Sequence, residues 1–327
     1  MTNPEDHIED QRELSADDLP ENPSDDSAGV SHESPPEGSL AASNIEPQEA
    51  ISVQAVRKPV IAGNWKMYKS IAEGVAFVKD LIPLLAAETP EKDRGDEPEN
   101  LPAVYLAVPY TCIQSIVKAA RGSRIEVGAQ NMNDASEGSF TGEIAAKMLK
   151  EVGAGFVILG HSERRMYFNE DNAFINRKVK RALLEGLQPI LCIGETLALH
   201  QKGKSKETVE KQLAECLDGL SGEQLADCIV AYEPVWAIGS GSAATPEIAQ
   251  EIHGVCRQFI GNKWGTDAAE KLRILYGGSV KPNNAAELMA QPDIDGLLVG
   301  GASLSLDFFS QIVNYDRHGI VSEGESV

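Results

Sequence analysis

The sequence predicts an α/β chain whose ordered part folds as a closed (β/α)8 barrel, and three observations lead there. First, eight short apolar runs follow one another: PVIAG (59–63), AVYLAV (103–108), RIEVGA (124–129), GFVILG (155–160), PILCIG (189–194), CIVAYE (228–233), LRILYGG (272–278) and DGLLVGG (295–301). Most are too brief and too continuously apolar for half-exposed strands, which suits a parallel sheet covered by helices. Second, amphipathic stretches lie between them, such as IAEGVAFVKDLIPLL (71–85), DNAFINRKVKRALLEG (171–186) and TPEIAQEIHGVCRQFI (245–260). The last opens with Thr245 as N-cap and Pro246 at the first helical position. Third, this alternation runs over about 260 residues, which fits a closed barrel rather than an open doubly wound sheet.

The remainder of the chain reads differently. Residues 1–57 hold 14 acidic side chains against two arginines, so they carry -12 of the formal net charge of -21, and they contain no aromatic residue. Such a segment buries too little apolar surface to offset its ordering entropy and is expected to be disordered, either a solvated tail or an arm that binds a partner. The barrel is expected over 58–316, followed by a short polar tail, 317–327. The insert ETPEKDRGDEPEN (88–100) falls between a helix and the next strand, on the barrel's bottom face, and is expected to be a tolerated insertion. Removal of residues 1–57 is expected to leave thermal stability and turnover as they were.

Composition excludes several functions. An acidic chain does not attract a phosphate backbone or an anionic membrane surface, so neither nucleic acid nor membrane is an expected partner. A small phosphorylated substrate needs only a few local donors. The five cysteines, Cys112, Cys192, Cys216, Cys228 and Cys256, are dispersed and lack a C-x-x-C pair. They read as small buried hydrophobes, with no metal site and no disulfide framework. The N-terminus lacks a signal-peptide pattern and no apolar run approaches the roughly 20 residues of a membrane span. A cytoplasmic protein is expected.

In (β/α)8 barrels the chemistry sits at the C-terminal ends of the strands. Asn64, Trp65 and Lys66 follow the first run; His161, Ser162, Glu163, Arg164 and Arg165 the fourth; Glu233 the sixth; Gly277, Gly278 and Ser279 the seventh; Gly300 and Gly301 the eighth. Polar residues and glycines thus gather on one face. The stretch IVAYEPVWAIGSGSAAT (229–245) ends a strand on a carboxylate and passes straight into Pro, Trp and two glycines, which suits a base covered by an adjustable loop.

Together, GNWKM, AQN with GSFTGE, VILGHSERR, CIGE, YEPVWAIGSG, YGGSV and LLVGGASL resemble the signatures of the triosephosphate isomerases, in the right order over about 58–316. The resemblance implies a TIM barrel that interconverts glyceraldehyde 3-phosphate and dihydroxyacetone phosphate through an enediolate, in glycolysis and gluconeogenesis, without a cofactor or metal. It implies Glu233 as the base, made more basic by burial under a closed loop, and His161 as a neutral electrophile at the start of a short helix; this family is the standard illustration of that pairing. Lys66 would supply fixed positive charge and Asn64 a neutral donor, while Glu163 would anchor Lys66 or shuttle a proton. Ser279, Gly300, Gly301 and, from the loop, Gly239 would offer backbone N–H groups to the phosphate. Pro234, Val235 and Trp236 would form the first hinge of that loop, 237–241 its tip and 242–244 the second hinge, closing to exclude water.

The second hinge departs from the family's common AIGTGKTA, which bears on loop kinetics and leaves the base untouched. The resemblance also implies a homodimer, with the loop containing Thr141 inserted into a partner subunit. Two rival readings are a barrel isomerase acting on a phosphoribosyl substrate and a catalytically silent scaffold whose acidic arm recruits a partner. The first would use other strand ends for its base, and the second would have lost Lys66, His161 or Glu233, all of which are present.

Overall fold

A computed structural model describes residues 57–87, 101–237 and 244–316. The sequence expectations for 1–56, the insert 88–100, the loop residues 238–243 and the tail 317–327 lie outside these.

Eight parallel strands close into a barrel in sequential order. They are β1 (Val60–Asn64), β2 (Ala103–Val108), β3 (Ile125–Ala129), β4 (Phe156–Leu159), β5 (Gln188–Ile193), β6 (Ile229–Tyr232), β7 (Arg273–Tyr276) and β8 (Gly296–Val299). Closure is made by β1 against β8, with Val60 opposite Gly296 and Gly63 opposite Val299. Each strand lies within two residues of the apolar run that announced it. The helices that flank the site and cover the sheet are α1 (Ile71–Ala87), α2 (Ile113–Ala120), α3 (Ala146–Glu151), α4 (Ser162–Tyr167), α5 (Asn172–Leu184), α6 (Leu197–His200), α7 (Ser205–Cys216), α8 (Gly222–Ala226), α9 (Pro246–Trp264), α10 (Thr266–Lys271), α11 (Pro282–Met289) and α12 (Leu306–Val313). Thr245 caps α9 as expected, its side chain accepting from the Ile248 amide at 3.3 Å.

Period-two alternation sorts the strand residues into two cores. Val60 and Ala62 of β1, Ile229 and Ala231 of β6, Leu275 of β7 and Leu298 of β8 fill the barrel interior. Ile61, Val230, Tyr232, Ile274, Tyr276, Leu297 and Val299 pack outward against the helices. Continuing the inward parity one step past these residues reaches Asn64, Glu233, Gly277 and Gly300. The strands are buried on both faces, which is why they read as unbroken apolar runs. Each fully buried aliphatic side chain contributes roughly 2 kcal/mol relative to exposure. The lower interior is plugged by Tyr105 stacked on Phe156 at 4.7 Å, with the Tyr105 hydroxyl donating to Gln188 at 2.9 Å.

One boundary needs correction. Arg57, placed in the tail by composition, belongs to the barrel: its Nε lies 2.6 Å from Asp295 Oδ1 and its Nη1 3.2 Å from Glu270. Asp295 is also held by Arg257 at 2.6 Å and accepts the Ile274 amide at 2.7 Å. A cut after residue 57 therefore removes a buried ion pair, and one after residue 56 keeps it. The five cysteines are buried and unpaired, as expected. Among the described residues no helix is long and apolar enough to cross a membrane.

α9 presents His253 to the interior, fully buried, with Nδ1 3.1 Å from the Asp293 carbonyl and its ring edge-on to Tyr232. Burial pushes its pKa down to about 4. The folded chain keeps this imidazole neutral while the unfolded chain protonates it near its ordinary value, so its contribution is complete above that value and is lost as pH falls toward 4. Denaturant unfolding at about pH 7.5 and about pH 4.5 should show His253→Gln losing about 2 kcal/mol less than the parent between the two conditions. An equal loss in both proteins would contradict this.

Candidate active site

The ends of five strands, β1, β4, β6, β7 and β8, build one cavity of about 990 Å³, and Asn64, Lys66, His161, Glu233, Ser279, Gly300 and Gly301 all line it. The barrel's alternation explains Asn64, Glu233 and Gly300. His161 breaks that parity: Gly160, at φ 70°, turns the chain after β4 so that His161 faces the cavity one residue later.

Glu233 is 2% exposed, and both of its carboxylate oxygens are occupied. Oε2 accepts the Ser162 amide at 3.0 Å, and Oε1 lies 3.1 Å from His161 Nε2. His161 is the N-cap of α4, its Nδ1 accepting from the Glu163 amide at 3.3 Å. A ring nitrogen that accepts a hydrogen bond carries no proton, so the proton of the neutral imidazole is on Nε2 and points toward Glu233 and the cavity.

Lys66 sits in a turn at φ 50°, its amide donating to Asn64 Oδ1 at 3.0 Å. Its ammonium pairs with Glu163 at 2.7 Å. Glu163 reaches the site only through this pair and through His161 Nδ1 at 3.6 Å; it is half exposed and lies apart from the cavity's lining. Of the two roles the resemblance allowed it, anchoring Lys66 is the one this geometry fits. Gly239 lies outside the described residues.

Sequence reasoning quoted Ser162 and Glu195 within motifs without giving either a role. Ser162 offers the amide that holds Glu233; the signal was its place as first residue of a helix, where N–H groups lack helical partners. Glu195 is fully buried, and its Oε1 accepts from Trp236 Nε1 at 2.7 Å, Ser205 Oγ at 3.0 Å and Tyr232 at 3.2 Å. Its carbonyl also accepts the Val235 amide at 3.1 Å. This hub fixes the direction in which the chain leaves Glu233, through the short 3-10 turn Val235–Ala237. Beneath the carboxylate, burial and the Glu233 charge push the Cys192 thiol well up, so it stays protonated beside the site and is a poor nucleophile.

A closed eight-stranded parallel barrel whose polar groups meet at the carboxyl end of its strands defines a (β/α)8 barrel enzyme. The family model described as triosephosphate isomerase matches residues 59–316. A triosephosphate isomerase of Protochlamydia amoebophila is 54% identical over 258 residues, covering 79% of this chain and 93% of that protein. Another from Solibacter usitatus is 47% identical over 260 residues, 80% of this chain and all of that protein, and one from Carboxydothermus hydrogenoformans is 47% identical over 260 residues, 79% and 98% of the two chains. The chain belongs to the triosephosphate isomerase family, and it is an isomerase.

A methyl group at Gly277 would stand 2.9 Å from Glu233 Cγ and 3.3 Å from the Tyr232 carbonyl. Gly277→Ala should therefore displace the carboxylate and lower isomerase turnover at least about tenfold, with little change in the melting temperature. Parental turnover in this variant would show that Glu233 tolerates displacement.

Proposed function

We propose that the chain interconverts glyceraldehyde 3-phosphate and dihydroxyacetone phosphate, with Glu233 carrying a proton between the two adjacent carbons. The observation that carries this reading is the carboxylate of Glu233 and the Nε2 of His161 lying 3.1 Å apart on a cavity shared with Lys66. The phosphate is bound by the amides of Ser279, Gly300 and Gly301, positions without bulky side chains at the ends of β7 and β8; the family resemblance adds Gly239, which lies outside the described residues.

Glu233 must leave the Ser162 amide to reach a substrate carbon, so binding exchanges one hydrogen-bonded carboxylate position for another. As the carboxylate takes the carbon-bound proton, charge builds on the carbonyl oxygen. His161 Nε2–H donates to that oxygen, and the Lys66 ammonium stabilises it electrostatically. Asn64 adds a neutral donor, and Glu163 holds Lys66 in place. The same carboxylate then returns the proton at the neighbouring carbon, while His161 Nε2 gives its proton to the first oxygen and takes back the hydroxyl proton of the second, so no external acid or base is consumed.

A homodimer belongs to the same reading. The loop that carries Thr141 is exposed from 136 to 143, and its base is tied by Asn133 Nδ2 to Glu143 at 2.9 Å and by the Asn133 amide to the Ile144 carbonyl at 2.9 Å. Phe140 beside Thr141, and Met67 and Tyr68 beside Lys66, are large apolar side chains left exposed on the single chain. We place Thr141 against the Lys66 turn of a second copy. A cytoplasmic location accords with the five unpaired thiols.

Steady-state kinetics with glyceraldehyde 3-phosphate tests the chemistry. Glu233→Asp withdraws the carboxylate by one methylene and should lower kcat by about a hundredfold with the fold intact; unchanged turnover refutes the assignment. Sedimentation at micromolar concentration should give twice the 35.1 kDa chain mass. Thr141→Arg should shift the protein toward monomers of much lower turnover, whereas a fully active monomer contradicts the shared interface.

A further inference from the structure

The turn that presents Lys66 has an unusual backbone. Among the described residues three non-glycines have φ in the left-handed region, and two of them, Lys66 at 50° and Lys69 at 69°, lie in this one turn between β1 and α1. An L side chain there crowds the following carbonyl, and the conformation persists only where surrounding contacts hold it.

Lys69 makes those contacts itself. Its ammonium donates to the Leu304 carbonyl at 3.1 Å and lies 4.5 Å from the centre of the Phe77 ring and 5.5 Å from that of Trp65. Its own carbonyl accepts from Cys112 Sγ at 3.6 Å. Partial burial lowers the ammonium's pKa, opposed by nearby Glu73. Leu304 ends the 3-10 turn Gly301–Leu304 that follows β8, so this side chain links the turn after β1 to the turn after β8. Lys66 runs beside the same second turn: a methyl group added at Gly300 would lie 3.4 Å from Lys66 Cε.

We propose that Lys69 is a positioning residue, stapling the β1 turn to the β8 turn and so fixing the distance between the Lys66 ammonium and the Gly300 and Gly301 amides that bind the phosphate. This rests on the phosphate site proposed above and adds what sets its dimensions. Three features give the staple its strength. The Leu304 carbonyl receives a charge-assisted bond, two aromatic faces hold the ammonium, and the strained φ fixes where the stem leaves the backbone. The Lys66 ammonium keeps its Glu163 partner when Lys69 is changed, so it is the β8 turn and its amides that shift, and because the phosphate is not altered by the reaction their displacement weakens substrate and transition state alike. The effect belongs in KM, with little in kcat.

The test is steady-state kinetics and competitive inhibition by inorganic phosphate, on the full-length chain. Lys69→Met keeps an apolar stem over the two rings and removes the donor; it should raise both KM and the phosphate inhibition constant about five- to tenfold, with kcat within about twofold. Lys69→Arg, which keeps a charged donor, should recover most of the affinity. Unchanged KM and phosphate inhibition in Lys69→Met, or an equal fall in kcat, overturns the proposal. Should the Met variant fold poorly, Lys69→Gln serves for the same comparison: phosphate inhibition weaker than in the Arg variant supports the staple, and inhibition equal to the parent's overturns it. Gly301→Glu, measured alongside, separates the two readings, because a side chain at Gly301 meets open space and its carboxylate would stand by those amides: if it leaves phosphate inhibition unchanged the phosphate site itself is misassigned, whereas failure of the Lys69 variants alone leaves that site standing.

Discussion

The alternation of side chains around a closed ring of parallel strands is the constraint on which the site depends. Val60, Ala62 and Asn64 share one parity, as do Ile229, Ala231 and Glu233, and as do Leu298 and Gly300. The last member of each series arrives at the mouth facing inward. A one-residue slip of β6 would send Glu233 into the helix layer and bring Tyr232 into the cavity. The pairing of β6 with β5 and β7, residue for residue, holds that register, and the Glu233 amide extends it by donating to the Ile193 carbonyl at 2.7 Å.

What the barrel does not supply by parity it supplies by turns. Gly160 redirects His161, Lys66 sits in a left-handed turn, and Gly194 has no room for a side chain because a methyl there would lie 1.8 Å from the Glu233 carbonyl. Charge is arranged in the same economical way. Glu233 is held by an amide and an imidazole, Lys66 by a half-exposed carboxylate, and Glu195 by three donors that orient the chain just beyond Glu233. Buried carboxylates are costly without partners, and each of these has at least one.

Most of the fold was legible because its signals are local. Continuous apolar runs mark strands covered on both faces, and Thr245 with Pro246 marks a helix start, so these features were predicted within a residue or two. Asn64, Lys66, His161, Glu233, Ser279, Gly300 and Gly301 were legible for a related reason: each stands at or just beyond the end of a run, where a barrel keeps its polar groups. Arg57 was misplaced because its partner Asp295 is 238 residues away, and composition cannot register such a contact. Lys69 and Glu195 escaped for the same reason. Lys69 reaches a carbonyl 235 positions distant, and the donors to Glu195 lie 10, 37 and 41 positions away.

The most direct measurement of the central claim is a crystal structure with an unreactive phosphorylated mimic of the enediolate. The mimic's phosphate should lie on the Ser279, Gly300 and Gly301 amides, its two oxygens against His161 Nε2 and Lys66 Nζ, with the Glu233 carboxylate moved off the Ser162 amide and onto the carbons. A mimic bound elsewhere in the cavity, with Glu233 still on Ser162 and no contact to His161 or Lys66, would contradict it.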